Sequence, residues 1–345
     1  MSIRAKLLGL KSATPPYVIT QAEAARYARH LFGEVRDISR MLPVFGNTGI
    51  ERRYSCVPID WYLDAHGWID RTALYVSSAV DLMEEVTRKL LDSTGLSADQ
   101  IDSIVVVSTT GVATPSLDAL LIERMGLRRD IQRLPIFGLG CAGGVTGLAR
   151  AAAMARADPG SRVLFLVVEL CALTFRKNDT SKSNIVASAL FGDGAAGAIL
   201  CTEGEGPAIG AVGEHTWPDS LDVMGWDVQE DGLQARFAQS IPSLVAKDFR
   251  GLLAQFLDRN GVALADLDGF ACHPGGAKVL DALEDALDLP RGGLEESRGV
   301  LRDFGNMSAA TALFVAERMA LMGRRTLLTA LGPGFSAAFL MLEGR

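Results

Sequence analysis

The sequence predicts an α/β protein made from two copies of one folding unit, and three observations predict it. Runs that are apolar on both faces, Ile104-Val-Val-Val107 and Val163-Leu-Phe-Leu-Val-Val168, read as strands buried inside a parallel sheet. Stretches with apolar residues at helical spacing lie between such runs. Landmarks of the first half then recur in the second at a nearly constant offset: Asp102 and Asp268 are 166 residues apart, Cys141 and Asn306 are 165 apart, and Val163 and Thr326 are 163 apart. One copy is expected in residues 1–205 and the other in 206–345, packed about a pseudo-two-fold axis.

Each element has its own signal. Thr20 reads as the N-cap of a surface helix within residues 16–40. Residues 71–95 place Ala73, Val76, Ala79, Val80, Met83, Val86 and Leu90 along one helix, closed by Gly95. The 104–107 strand ends in the polar cluster Ser108-Thr-Thr-Gly111, at the strand end where α/β proteins place their sites. A helix at Ser116–Met125 follows, and then Pro135 to Ala153, PIFGLGCAGGVTGLARAAA, a strand turning into a helix at Cys141. In the second copy, Gly269-Phe-Ala-Cys272 answers the 104–107 strand, Phe304-Gly-Asn306 with its following helix answers the Cys141 turn, and Thr326–Leu331 answers Val163–Val168.

Composition narrows the function. The 345 residues are 48% apolar and 22% charged, enough for a large core. A net charge of −7 argues against nucleic acid, which needs a basic face. Five scattered cysteines fit a reducing, cytoplasmic setting better than a disulfide framework. No apolar run is long enough for a membrane span, and the N-terminal one is too short for the core of a signal peptide. No pair of His or Cys has metal-ligand spacing, so no metal is expected.

The duplication assembles a site. A cysteine in the first turn of a helix lies at the positive end of the helix dipole, which favours the thiolate. Glycines 138, 140, 143 and 144 allow a sharp turn and the close approach of another group. Equivalent turns facing each other across the axis bring Asn306 to Cys141, and the strand end matching Ser108–Thr110 is Cys272-His273-Pro274-Gly275-Gly276, which presents His273. His30, His66 and His215 sit in a surface helix, in a polar loop and beside Trp217, where structural roles suffice. A Cys/His/Asn set has coherent chemistry: the histidine activates the thiol for attack on an acyl thioester, and imidazole and amide N–H then donate to a developing enolate. That suits acyl transfer followed by decarboxylative carbon–carbon bond formation.

GLGCAGG, ALFGDGAAGAIL at 189–200, CHPGG at 272–276, FGNMSAAT at 304–311 and ALGPGFSAAF at 330–339 together resemble the type III polyketide synthases, the chalcone and stilbene synthase family of the thiolase superfamily. The resemblance implies a homodimer with a five-layered αβαβα thiolase-like fold that loads an acyl-CoA starter on Cys141 and extends it with malonyl-CoA, with His273 and Asn306 stabilising the enolate. CoA thioesters are then substrates, and no cofactor is implied. By motif, Phe191 matches the residue between CoA tunnel and cavity, and Gly332-Pro333-Gly334 the loop that shapes the cavity roof. Cys171, Thr174 and Ser308 match positions controlling chain length and cyclisation, and Thr109 in the 108–111 cluster is a further substrate-binding candidate. Thr114 matches the residue inserted into the partner's cavity, although the plant pattern has a larger apolar residue there. The lysine-rich run before Arg53 is missing, which leaves Arg40, Arg52 and Arg53 as candidates for the CoA phosphates. ELCALTFRKNDTSKSN and ATPSLDALL resemble bacterial alkylpyrone and alkylresorcinol synthases, implying a long-chain fatty acyl starter.

Two rival readings are weighed. A β-ketoacyl-ACP synthase III shares fold and triad but condenses once; its histidine is typically followed by Gln-Ala-Asn, where this chain has Pro274-Gly275-Gly276. Gly138-Leu-Gly140-Cys-Ala-Gly143 also satisfies a dinucleotide fingerprint, with Glu169 ending the next strand 26 residues on, and this would make the chain an NAD-dependent oxidoreductase. That fingerprint leaves His273 and Asn306 without a role.

Overall fold

The computed structural model describes residues 3–32, 40–238 and 240–344. In chain order its first half contains strands β1 (Lys6–Ala13) and β2 (Tyr17–Thr20), helix α1 (Gln21–Phe32), β3 (Arg52–Ser55), α2 (Trp68–Thr94), β4 (Ser103–Val107), α3 (Leu117–Met125), β5 (Gln132–Ile136), α4 (Gly143–Ala157), β6 (Val163–Leu170), α5 (Lys182–Leu190) and β7 (Asp193–Cys201). The second half adds β8 (Ala208–Thr216), the hairpin β9 (Met224–Gln229) and β10 (Gly232–Phe237), α6 (Arg250–Arg259), β11 (Gly269–Cys272), α7 (Ala277–Ala286), α8 (Glu295–Phe304), α9 (Thr311–Arg318), β12 (Arg325–Gly332) and β13 (Ser336–Glu343).

Nine strands join in the order β11-β12-β13-β8-β1-β7-β6-β4-β5. The two halves of this sheet repeat one another: β4 runs parallel to β6, which runs antiparallel to β7, just as β11 runs parallel to β12, which runs antiparallel to β13. The first half has one strand more, β5, at the free edge. The halves meet through β1 and β8, which share the single register pair Lys6↔Ala208.

Alternation along the strands builds the layers. Val105, Val107, Phe165 and Val167 point with Leu328, Ala330 and Leu340 into one core around α4 and α9. Their neighbours Ile104, Val106, Leu164 and Leu166 point the other way, onto α2 and α3. Cys272, Leu327, Phe339 and Met341 point outward in the second half, onto α6 and α7. The layers are therefore helix, sheet, helix, sheet, helix, as expected. The central layer can be thin because α4 is rich in alanine and glycine, and residues from Gly143 to Ala152 are buried except Arg150.

Local caps match the sequence signals. Thr20 and Glu23 bond each other reciprocally at the start of α1, and α2 ends on Gly95 at φ 67°, where a side chain would be strained. The surface-helix expectation for residues 16–40 is met over Gln21–Phe32; residues 33–39 of it lie outside the described residues. No helix among the described residues is long and apolar enough to cross a membrane.

Candidate active site

Cys141 occupies a single 3₁₀ turn, Gly140–Ala142, that runs directly into α4. Gly140 has φ 48°, and a Cβ there would lie 2.4 Å from Pro333 Cδ, so only glycine lets the Gly332-Pro333-Gly334 loop seat behind the cysteine turn. From the other side, Gly140 N–H donates to Thr109 Oγ1 at 3.1 Å. The tip of β4 and the end of β12 thus hold the turn between them.

The second half supplies the other members. His273 follows β11 and is anchored by its N–H to Thr329 O at 2.8 Å. Asn306 follows α8 and is anchored on both sides, its N–H donating to Leu190 O and its carbonyl accepting from Gly192 N–H. Its side-chain Nδ2 donates to Gly275 O at 3.4 Å, and its Oδ1 accepts from Ser308 N–H at 2.9 Å. Ser308 Oγ is 3.6 Å from Cys141 Sγ. These contacts link Cys141, Ser308, Asn306 and the His273–Gly275 turn into one buried constellation where the two halves meet.

Electrostatically the site is dry. Burial pushes the Cys141 thiol up to about 12, so desolvation of the charge outweighs both the Ser308 bond and the helix terminus that favours the thiolate. Burial pushes His273 down to about 4, and neither of its ring nitrogens has a hydrogen-bond partner among the described residues. Each group alone resists charge, whereas an imidazolium–thiolate pair brings opposite charges together in a low dielectric. Glu169, which the sequence presents as a strand end and as the acidic residue of the dinucleotide fingerprint, faces the same place: its Oε2 accepts from Thr109 N–H at 3.0 Å and from Thr110 Oγ1 at 2.8 Å, and burial raises its carboxyl to about 7.

Phe191 bridges to Asn306 and packs its ring at a tilt against Trp226 and Phe237 of the β9–β10 hairpin, at 5.9 and 5.5 Å between ring centroids. The hairpin stands apart from the main sheet and roofs this corner. Phe191, Cys171 and Thr174 form one end of an apolar chamber that is partly open to solvent. Ala28 and Leu31 of α1, with Phe45, Phe175 and Ala187 of α5, also line it. Cys141, His273 and Asn306 do not line it; Cys171, whose thiol is in electrostatic contact with Cys141, is its nearest link to them. Thr114 is exposed on the loop after β4.

Two expectations are corrected. Arg53 does not face solvent: only 5% exposed, it donates to Ser188 O, Phe191 O and Gln21 Oε1, tying β3 to α5 and α1, so it is unavailable to a CoA phosphate. Arg52 and Arg40 are exposed. The dinucleotide reading fails on space. The glycine-rich turn makes its close approach to the protein itself, since a Cβ at Gly144 would lie 2.1 Å from Ala309 O and one at Gly143 2.7 Å from Val107. No room is left there for a pyrophosphate. The remaining histidines sit where structural roles suffice: His30 is exposed, His66 stacks on Trp61 and His215 packs against Trp217.

Comparison with known proteins agrees with this geometry. The family model for the N-terminal domain of chalcone and stilbene synthases matches residues 63–204, and that for the C-terminal domain matches residues 211–342. The chain is 38% identical to a 1,3,6,8-tetrahydroxynaphthalene synthase of Streptomyces peucetius subsp. caesius, over 96% of this chain and 91% of that one. It is 28% identical to a phloroglucinol synthase of Pseudomonas fluorescens, over 95% and 96%. The crystal structure of 1,3,6,8-tetrahydroxynaphthalene synthase from Streptomyces coelicolor A3(2), a bacterial type III polyketide synthase, superposes with a TM-score of 0.93 at 29% identity, covering 98% of this chain and 99% of that one. The chain belongs to the chalcone and stilbene synthase family and is a type III polyketide synthase, an acyltransferase.

Proposed function

We propose that the enzyme loads a long-chain fatty acyl group from CoA onto Cys141, extends it with malonyl-CoA, and releases alkylpyrone or alkylresorcinol products. The observation that carries the starter assignment is the apolar chamber, walled by Leu31, Phe45 and Phe175, one end of which is Cys171 beside the nucleophile. An alkyl tail buried there gains about 0.8 kcal/mol per methylene.

The chemistry follows from the constellation. His273 accepts the Cys141 proton, and the sulfur attacks the thioester carbonyl and expels CoA as a thiol. Malonyl-CoA then loses carbon dioxide, and the electron pair left behind becomes an enolate whose oxygen receives N–H bonds from His273 and from Asn306 Nδ2. The enolate carbon attacks the acyl group on Cys141, frees the sulfur and leaves a β-ketoacyl-CoA two carbons longer. Dry walls protect the acyl-enzyme from water. Phe191, Cys171, Thr174 and Thr109 bound the growing chain, and Gly332-Pro333-Gly334 backs the cysteine turn. Arg40 and Arg52 are the remaining candidates for the CoA phosphates. The active unit is a cytoplasmic homodimer paired through β5, with Thr114 directed toward the partner.

A starter-CoA panel with malonyl-CoA, products read by mass, tests this reading together with Ala187→Trp, which fills the chamber. Long-chain starters are expected to give alkylated products with the native enzyme and to lose most of that turnover in the variant, while acetyl-CoA is still used. A native enzyme giving only small phenols without an alkyl chain would favour a second reading, a product of the class that the names of the tetrahydroxynaphthalene and phloroglucinol synthases carry.

A further inference from the structure

Ser308 follows Asn306 by two residues and opens the short turn into α9. Its backbone is left-handed, φ 46°, a conformation that a residue with a side chain holds only where its surroundings impose it. Two of its polar groups point at reacting groups. Its hydroxyl oxygen is 3.6 Å from the Cys141 sulfur, and its N–H donates to Asn306 Oδ1 at 2.9 Å. The second bond fixes the Asn306 amide: turned over, it would set two donors against each other, so Nδ2 is the end offered to substrate. Nδ2 has one bond here, to Gly275 O at 3.4 Å, long enough to be weak.

We propose that Ser308 is a positioning residue for both stages of the reaction, its hydroxyl steadying the Cys141 sulfur and its N–H presenting Asn306 Nδ2. The proposal rests on the reading of Cys141 as the acyl acceptor. In the neutral site the thiol donates to Ser308 Oγ. Once the sulfur has lost its proton, the hydroxyl rotates and donates to the thiolate, a charge-assisted bond that offsets part of the cost of burial. The titratable groups in electrostatic contact with the sulfur are Glu169 and Cys171, both at the end of β6, which oppose a further negative charge; the positive one falls to His273, whose turn is tied to Asn306 through Gly275 O. The left-handed turn aims hydroxyl and N–H at two different partners from one residue.

Ser308→Gly removes the hydroxyl, keeps the N–H and suits the left-handed backbone. Ser308→Ala removes the same hydroxyl without that backbone benefit. The rate of Cys141 carbamidomethylation by iodoacetamide, followed by peptide mass against pH, reports the thiolate. Both variants are expected to require a pH higher by about one unit, so that reaction at fixed neutral pH slows about tenfold. Profiles that superimpose on the native one overturn the proposal. A displacement in Ser308→Ala but not in Ser308→Gly also overturns it, because the effect then comes from backbone strain. Failure of the underlying reading looks different: native Cys141 would react no faster than the buried Cys171, Cys201 and Cys272.

Discussion

Glu169 shows how a residue's chemistry is set by groups distant in the chain. Its carboxyl meets Thr109 and Thr110, sixty and fifty-nine residues earlier, and is raised from 4.5 to about 7, chiefly by burial. A carboxyl raised in this way keeps, in the folded state, a proton that the unfolded chain has already lost. Its contribution is therefore most favourable below pH 4.5 and is lost as pH rises through 7. Glu169→Gln removes the titration. The stability difference between variant and native enzyme is expected to move in the variant's favour between pH 5 and pH 8, by up to about 3 kcal/mol, read from urea unfolding. A difference independent of pH would show that the carboxylate is ionised throughout. His273 has the opposite sign: lowered from 6.5 to about 4, it costs stability as pH falls through that window. The sequence places His273 and Asn306 because duplication maps them onto strand tips and turns. It cannot place Arg53 or Glu169, since a charge in a loop or at a strand end reads alike whether it faces water or the interior.

At the scale of elements, the buried strands and α2 are legible because their periodicity is local. Expected and observed bounds differ by a few residues at most: 71–95 against Trp68–Thr94, and 104–107 against Ser103–Val107. The β9–β10 hairpin and the chamber walls are not. The hairpin's position depends on Trp226 and Phe237 meeting Phe191, on Trp68 Nε1 donating to Gln229 O and on Arg176 pairing with Asp231, all partners far off in the chain. The Cys141 turn reads correctly as a site of close approach but is ambiguous about what approaches. Because the Ser308–Ala310 turn leading into α9 fills that space, Gly144→Ala is expected to cost at least about 3 kcal/mol, or to leave the protein insoluble, measured by urea unfolding. Ala149→Gly on the same helix, without such a clash, should cost about 1 kcal/mol. Equal losses would mean that α4 and α9 separate easily.

For the whole molecule, the shared central core means that neither half covers its inner face alone. The free edge of β5 is the other conspicuous feature. Among the described residues it pairs on one side only, and next to it Phe137 is 60% exposed, with Val112 on the neighbouring loop 54% exposed. An open edge with apolar neighbours invites a second copy. Phe137→Asp is expected to shift sedimentation from dimer to monomer at micromolar concentration. A native enzyme already monomeric there would remove β5 as the pairing edge.

The contact between Gly144 and the Ala309 carbonyl joins main chain to main chain. The spacing of the reacting groups is therefore written in backbone, where side-chain exchange cannot adjust it, while the chamber and roof are written in side chains. Variation in this architecture can alter what is made by resizing walls such as Cys171, Ala187 or Trp226, with the reaction centre carried along unchanged. Product range and chemistry are in that sense separately heritable.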